Sequence, residues 1–450
     1  MQGSRVADPG GWHRRLTATR ILAAGCVLFA LSAGALIAVD VAVGGGMWSM
    51  LDLQVYDWGG QVARHSGDLY GLSYQHFGLH FTYPPTAAAV FSVLSYLPLT
   101  VLKWAASAGS VAALTAVTWL TWGALGYPRS RARLGGALAT AAVAIWAEPV
   151  QQTLSYGQVN LVLMLIVVAD LTLPDHAAWK GAGVGLAAGF KLTPLIFIPY
   201  LVLTRRFRAA AVALATFLAT LGLAWIWLPA QSDRYWAGRL FMDPGRLGNG
   251  AYAGNQSLRG MLLRLAGGGH AAQAMWSVAV VIVAVGGLLL AAAASRRGRE
   301  MAGVLLCALT GLLISPVSWS HHWVWAVPAL VVAADSVVRA TSAAGSRRRQ
   351  RAAWAGVLAL LAVFWSRLIW AVPARAVQGR GLRGPWLLSG DLYVLAGLAT
   401  LGLAAGVMMY RRREPPGPDH DGLVAARRGT GTPALPAVPR SAAPAGDSAA

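Results

Sequence analysis

Acidic side chains are scarce in this sequence: 17 Asp and Glu stand against 37 Lys and Arg, and charged residues of both signs make up only 12% of 450. A soluble domain carries about 25%, so a soluble globular protein is excluded. Cysteine is nearly missing too. Cys26 and Cys307 both fall inside apolar runs, which excludes a disulfide framework in the polar segments. Lysine is reduced to Lys103, Lys180 and Lys191. Neither a G-x-x-x-x-G-K-[ST] loop nor an H-E-x-x-H helix occurs, which leaves ATPase and zinc-peptidase readings without support. No repeat of solenoid period is found. The excess of cations does not point to a nucleic-acid partner, because such proteins gather their cations on one face of a soluble core. Here the cations form short clusters between apolar runs, the pattern of membrane-protein loops.

What the chain has in abundance is apolar length, with 56% hydrophobic residues and a mean hydropathy of +0.53. At roughly 20 apolar residues per span, about twelve helices are expected, at 20–42, 83–100, 102–125, 134–149, 157–173, 178–204, 208–229, 271–294, 301–317, 322–340, 352–371 and 387–410. The fold class is therefore an all-α polytopic membrane protein. Arg14, Arg15 and Arg20 precede an apolar run too long for a signal-peptide core, so the first span is read as uncleaved.

Cation clusters at 14–20, 205–208, 296–299, 347–351 and 411–413 fall on one side under this count, which the positive-inside rule makes cytoplasmic. Residues 1–19 are then a cytoplasmic N-terminus and 20–410 the membrane domain. Outer loops lie at about 43–82, 230–270 and 373–386, the last carrying Arg375, Arg380 and Arg383. Residues 411–450, rich in Pro, Ala, Gly and Arg, are expected to be a disordered cytoplasmic tail. One cluster disagrees: Arg129, Arg131 and Arg133 fall outside. The run from Trp179 to Leu203, with Gly181, Gly183, Gly185, Gly189, Lys191 and Pro194, is the one most suited to break into half-helices around a protected cavity.

Residues 44–85 form the longest polar interruption of the first half. They gather Asp52, Asp57, Asp68, His65, His76 and His80 among Trp48, Tyr56, Trp58, Tyr70, Tyr74, Phe77, Phe81 and Tyr83. Carboxylates, imidazoles and flat apolar rings are what a sugar-handling site needs. Asp52, close to the end of the first span, is the candidate general base; a helix cap is the bland alternative. Lys191 lies within an apolar run, where a lysine costs roughly 2.5–3.5 kcal/mol, so it calls for an anionic partner or for snorkelling to an interface. His321 and His322 open a helix near Trp319, Trp323 and Trp325, where an imidazole suits an anion. About 100° apart on an α-helix, at most one of the two is expected to face a given cavity. Asp57, Tyr83, Gln158, Asn160, Asn255 and Arg259 complete the candidate cavity residues, although amides at a span start also serve as glue between helices. Asn255-Gln256-Ser257 also matches a glycosylation acceptor pattern. No metal site and no cofactor are expected.

Taken together, the runs DLQVY, GQVNLVLMLIVVADL, KLTPLIFIPYLVLTRR, NQSLRGMLLRL and SPVSWSHHWVWAVPAL resemble glycosyltransferase family 87, the polyprenyl-phosphate-mannose-dependent α-(1→2)-mannosyltransferases of actinobacteria. The similarity covers roughly residues 20–410. It implies a C-type glycosyltransferase fold with a large first extracytoplasmic loop, a polyprenyl-phosphate sugar donor and an active site on the outer face of the plasma membrane. By the same resemblance Asp52 is the base and His322 a donor-phosphate ligand. His321 and Lys191 join it by charge and position. Inversion at the anomeric carbon needs one base and cationic help for a departing phosphate, and a phosphodiester leaves without a general acid. Expected partners are membrane lipids, the lipid-phosphate donor and a lipid-linked glycan acceptor such as a phosphatidylinositol mannoside. The competing reading is a secondary transporter or flippase. Such a two-halved protein carries a long central connection, where this chain has only TRRFR.

Overall fold

The computed structural model describes residues 9–42, 49–74, 78–267, 269–342, 346–379, 382 and 384–413. Trp48, His76, Phe77, Arg380, Arg383 and residues 414–450 of the expected tail lie outside the described residues, while residues 411–413, expected to belong to that disordered tail, are the end of the helix Leu392–Arg413. Among the described residues the chain is helical, with two isolated bridges, Tyr74 to Leu79 and Asn255 to Trp319, and no strand.

All twelve apolar runs contain helix, but they do not all span. Among the described residues seven helices are long and apolar enough to cross a membrane: Thr17–Ala42, Leu99–Ala124, Phe207–Trp227, Gly269–Arg296, Ser320–Ser342, Arg347–Trp370 and Leu392–Tyr410. The remaining five runs are short or broken. Run 83–100 yields only Pro85–Leu94, stopping before Pro98, which cannot continue a helix. Run 134–149 stops at Ala144, and Glu148–Tyr156 starts afresh behind it. Glu148–Tyr156 and Asn160–Leu171 are bent by 117° at Gly157, a residue with φ of 67° that favours glycine. Trp179–Leu203 does break as expected, with Lys191 extended between Ala182–Phe190 and Thr193–Ile196. Glu300–Ile314, at 15 residues, is short of a bilayer. Length of the apolar run was thus a poor guide between residues 83 and 204, where the chain folds back to build a cavity.

The outward faces confirm the solvent. Leu31, Val41, Ile226 and Ile282 are 66%, 70%, 82% and 66% exposed, an apolar surface that water would not tolerate at this extent. Without a hydrophobic drive between helices, packing depends on close approach. A Cβ on Gly25 would stand 2.3 Å from the carbonyl oxygen of Gly135, and one on Gly135 would stand 2.4 Å from that of Ile21. Small residues therefore let Pro9–Ala42 lie directly on Arg131–Ala144. Arg133, one of the cations that disagreed with the charge rule, donates to the carbonyls of Trp119 and Tyr127 and so caps the preceding helix.

Two polar insertions cover one end of this frame. The first carries the amphipathic helix Leu51–Arg64, whose buried face of Leu53, Tyr56, Gly60 and Ala63 packs on Pro85–Leu94. The second folds as a string of short helical turns between Pro229 and Leu247, followed by Leu258–Ala266. The compact unit ends at Gly402; beyond it the described residues are the last turns of Leu392–Arg413.

Candidate active site

Asp52 sits in the first turn of Leu51–Arg64, half-buried. It does not cap that helix. Its Oδ2 accepts from Gln158 Nε2 at 2.5 Å. Gln158 Oε1 accepts in turn from the Tyr83 hydroxyl at 3.0 Å, and the Tyr56 hydroxyl donates to Tyr83 at 2.8 Å. Each donor in this chain fixes the next group, so the Gln158 amide has one orientation and Asp52 one protein donor. Burial pushes the Asp52 carboxyl up to about 6, opposed by the Gln158 hydrogen bond and the charge of Lys191. A carboxylate tuned to that range is suited to accept a proton near neutrality.

Across from it the break at Lys191 does the positioning. Because the backbone is extended there, the side chain leaves the helix axis and Nζ donates to Asn160 Oδ1 at 2.8 Å. Nζ also lies 3.0 Å from His322 Nε2 and 5.4 Å from the Tyr83 ring centroid. His322 Nδ1 and His321 Nε2 are both buried with no hydrogen-bond partner among the described residues. Asn160 Nδ2 and Thr153 Oγ1 both donate to the His321 carbonyl, at 2.9 and 3.1 Å.

Both histidines line the cavity, contrary to the expectation of one. Ser320–Trp325 is a 3-10 segment with non-helical dihedrals at Trp323, so the α-helical angle between neighbours does not apply.

Asp52, Tyr83, Gln158, Lys191, His321 and His322 surround one cavity of about 740 Å³. Its volume lies within the roughly 300–1,000 Å³ of small-molecule sites. Asn160, buried behind Lys191 and hydrogen-bonded to it, does not line this cavity. Three predicted residues point elsewhere. Asp57 accepts from Gln61 on the far side of its helix. Asn255, fully buried, accepts from the Ser318 amide and donates to the Gly250 carbonyl, bracing the segment before the histidines. Arg259 stacks 5.9 Å from the Trp276 ring. Full burial of Asn255, Gln256 and Ser257 also excludes them as a glycosylation acceptor. Among the described residues no three His, Cys, Asp or Glu side chains converge as metal ligands.

This geometry is a carboxylate and a set of nitrogen donors on the walls of one hollow, brought together from distant parts of the chain, with Lys191 and His322 alone 131 positions apart. The model of glycosyltransferase family 87 matches residues 81–316. The chain belongs to that family. A Mycobacterium tuberculosis protein, polyprenol-phosphate-mannose-dependent alpha-(1-2)-phosphatidylinositol pentamannoside mannosyltransferase, is 36% identical over 411 residues, 89% of this chain and 92% of its own. The Mycolicibacterium smegmatis protein of the same name is 35% identical, covering 79% and 85%. A second M. tuberculosis protein, the corresponding phosphatidylinositol mannoside mannosyltransferase, is 32% identical, covering 87% and 92%. No solved structure matches. The protein is thus a glycosyltransferase of family 87 and a multi-pass, all-helical membrane protein.

Several cavity residues of this family-87 enzyme escaped sequence reasoning. Tyr156, immediately before the GQVN run, and Tyr252 present rings to the cavity, as does Trp370. Arg246 joins from the second insertion, donating to the Tyr70 carbonyl at 2.9 Å over that residue's ring. Tyr156 was legible from its neighbours; Arg246, in a segment without periodicity, gave no signal.

Proposed function

We propose that this glycosyltransferase moves a mannosyl residue from a polyprenyl-phosphate donor to a mannoside of a phosphatidylinositol lipid, with inversion, at the outer face of the plasma membrane. The observation that carries the reading is the shared cavity: Asp52 on one wall, and Lys191, His321 and His322 on another. An acceptor hydroxyl attacks the anomeric carbon and gives its proton to Asp52. The bond from that carbon to the phosphate oxygen breaks, and polyprenyl phosphate departs with its new charge held by Lys191 and the imidazole N–H groups. No proton need be delivered to the leaving phosphate; the cavity's other carboxylate, Asp243, is engaged by the Gly245 amide in the second insertion. Tyr156 and Tyr252 offer the faces and hydroxyls that pyranose rings stack on and bond to. The mannosyl donor and the phosphatidylinositol mannoside acceptor follow the names of the relatives. The outer location is supported by the cations at 14–20, 205–208 and 296–299, each at the end of an apolar span opposite to the end that carries one of the two polar insertions.

Purified protein in detergent, given labelled polyprenyl-phosphate-mannose and a phosphatidylinositol mannoside, is expected to yield an acceptor one mannose longer with an α linkage. No product in detergent, with flux of the lipid appearing only in sealed vesicles, overturns the reading in favour of a transporter or flippase.

A further inference from the structure

A second cavity, of about 380 Å³, shares no lining residue with the first. It lies where the C-terminal end of the amphipathic helix Leu51–Arg64 meets Tyr96, just before the span Leu99–Ala124, and Trp227, the last residue of the span Phe207–Trp227. Tyr96 and Trp227 are 72% and 61% exposed. Rings at the ends of apolar spans sit at the level of lipid headgroups.

The charged group on this wall is Arg64. Its guanidinium lies flat on the Tyr96 ring, 4.2 Å from the centroid, and its one hydrogen bond among the described residues is a long 3.5 Å contact to the Ser95 carbonyl. A guanidinium carries five N–H donors, so most of them are presented without a protein acceptor. The acids nearest in sequence do not take them up as ion-pair partners: Asp57 accepts from Gln61, and Asp68 is paired with Arg234. Gln231, on the same wall, spends its amide on the Gly67 carbonyl. A half-buried arginine, braced by a ring and aimed into a hollow at headgroup depth, matches one chemistry well. A phosphodiester oxygen pair accepts from the guanidinium fork, while glycerol and the first acyl carbons lie against Tyr96, Val93 and Trp227.

We propose that this cavity binds the phosphodiester headgroup of an anionic membrane phospholipid, separately from the sugar-transfer site. The proposal does not rest on the identity of the donor or acceptor.

The full-length protein, wild type and Arg64→Gln, would be loaded with mixed phosphatidylglycerol and phosphatidylcholine in neutral detergent, stripped of excess lipid, and its retained lipids quantified by mass spectrometry. Wild type is expected to retain phosphatidylglycerol in preference, and R64Q to lose that preference by roughly tenfold, the scale of a charge-assisted hydrogen bond. Transfer in detergent is expected to be unchanged in R64Q, since Arg64 does not line the first cavity. Should R64Q fail to fold, Arg64→Lys keeps the charge and loses the fork, and a several-fold drop is expected. Equal retention by wild type and variants overturns the proposal. So does displacement of the lipid by inorganic phosphate alone, which would make this a free-anion site. Lipid retention is read without turnover, so failure of the sugar-transfer reading leaves this test intact.

Discussion

Glu148 and Asp52 are both carboxylates sealed into the wall of this protein, and they are held in opposite ways. Glu148 has no exposed surface and accepts three hydrogen bonds at 2.8 Å, from Ser320 Oγ, Trp370 Nε1 and the Tyr393 hydroxyl. It joins three distant segments, and an acid buried and held in this way is closed to substrate. Asp52 has a single protein donor among the described residues, lines the cavity, and is pushed up to about 6 by burial. The difference separates an acid that builds the site from one equipped to act in it. Scarcity alone does not distinguish them, since both are rare acidic groups beside apolar runs.

Breaking the comparison at Asp52 should have the largest effect. Asp52→Asn keeps an acceptor for Gln158 but removes the base, and transfer should fall about 10³-fold in a single-turnover assay, with the melting temperature in detergent unchanged. Glu148→Gln should do the reverse. Its amide presents N–H groups to three donors, an unsatisfied arrangement costing about 1–3 kcal/mol, seen as a lower melting temperature with a smaller loss of kcat. A similar melting temperature for E148Q and wild type would remove the structural role. His322→Ala should raise the KM for the lipid-phosphate donor by roughly tenfold and leave the acceptor KM alone in steady-state kinetics; equal effects on both would place the imidazole elsewhere. Arg259→Ala should change transfer by less than about twofold, because its side chain faces Trp276. A large loss there would put the second insertion's helix in the site.

The sequence carried the membrane class, the family and the two poles of the cavity, because rare polar residues beside apolar runs are expensive and stand out. Lys191 was identified by that cost, and the break that aims it by its glycines. The count of twelve spans was not legible, since an apolar run 16 to 20 residues long reads alike whether it crosses, stops at Pro98 or turns back at Gly157. Asn255 and Arg259 show a second limit. Both were candidate cavity residues, and Asn255 does lie beside the segment before the histidines, yet it serves the Ser318 backbone. Direction of a side chain depends on partners such as Gln158 and Asp52, 106 residues apart, which no local pattern encodes.

The central assertion is that Asp52 takes the acceptor's proton, and the pH dependence of kcat/KM tests it most directly. A base must be ionised to work, so with its carboxyl at about 6 activity should rise with pH through that value, and it should fall again at higher pH as Lys191, which burial pulls down to about 7, loses its charge. The residual activity of Asp52→Asn should lack that rise. A wild-type profile that is flat across this range, or an N variant that keeps the same rise, would contradict the account.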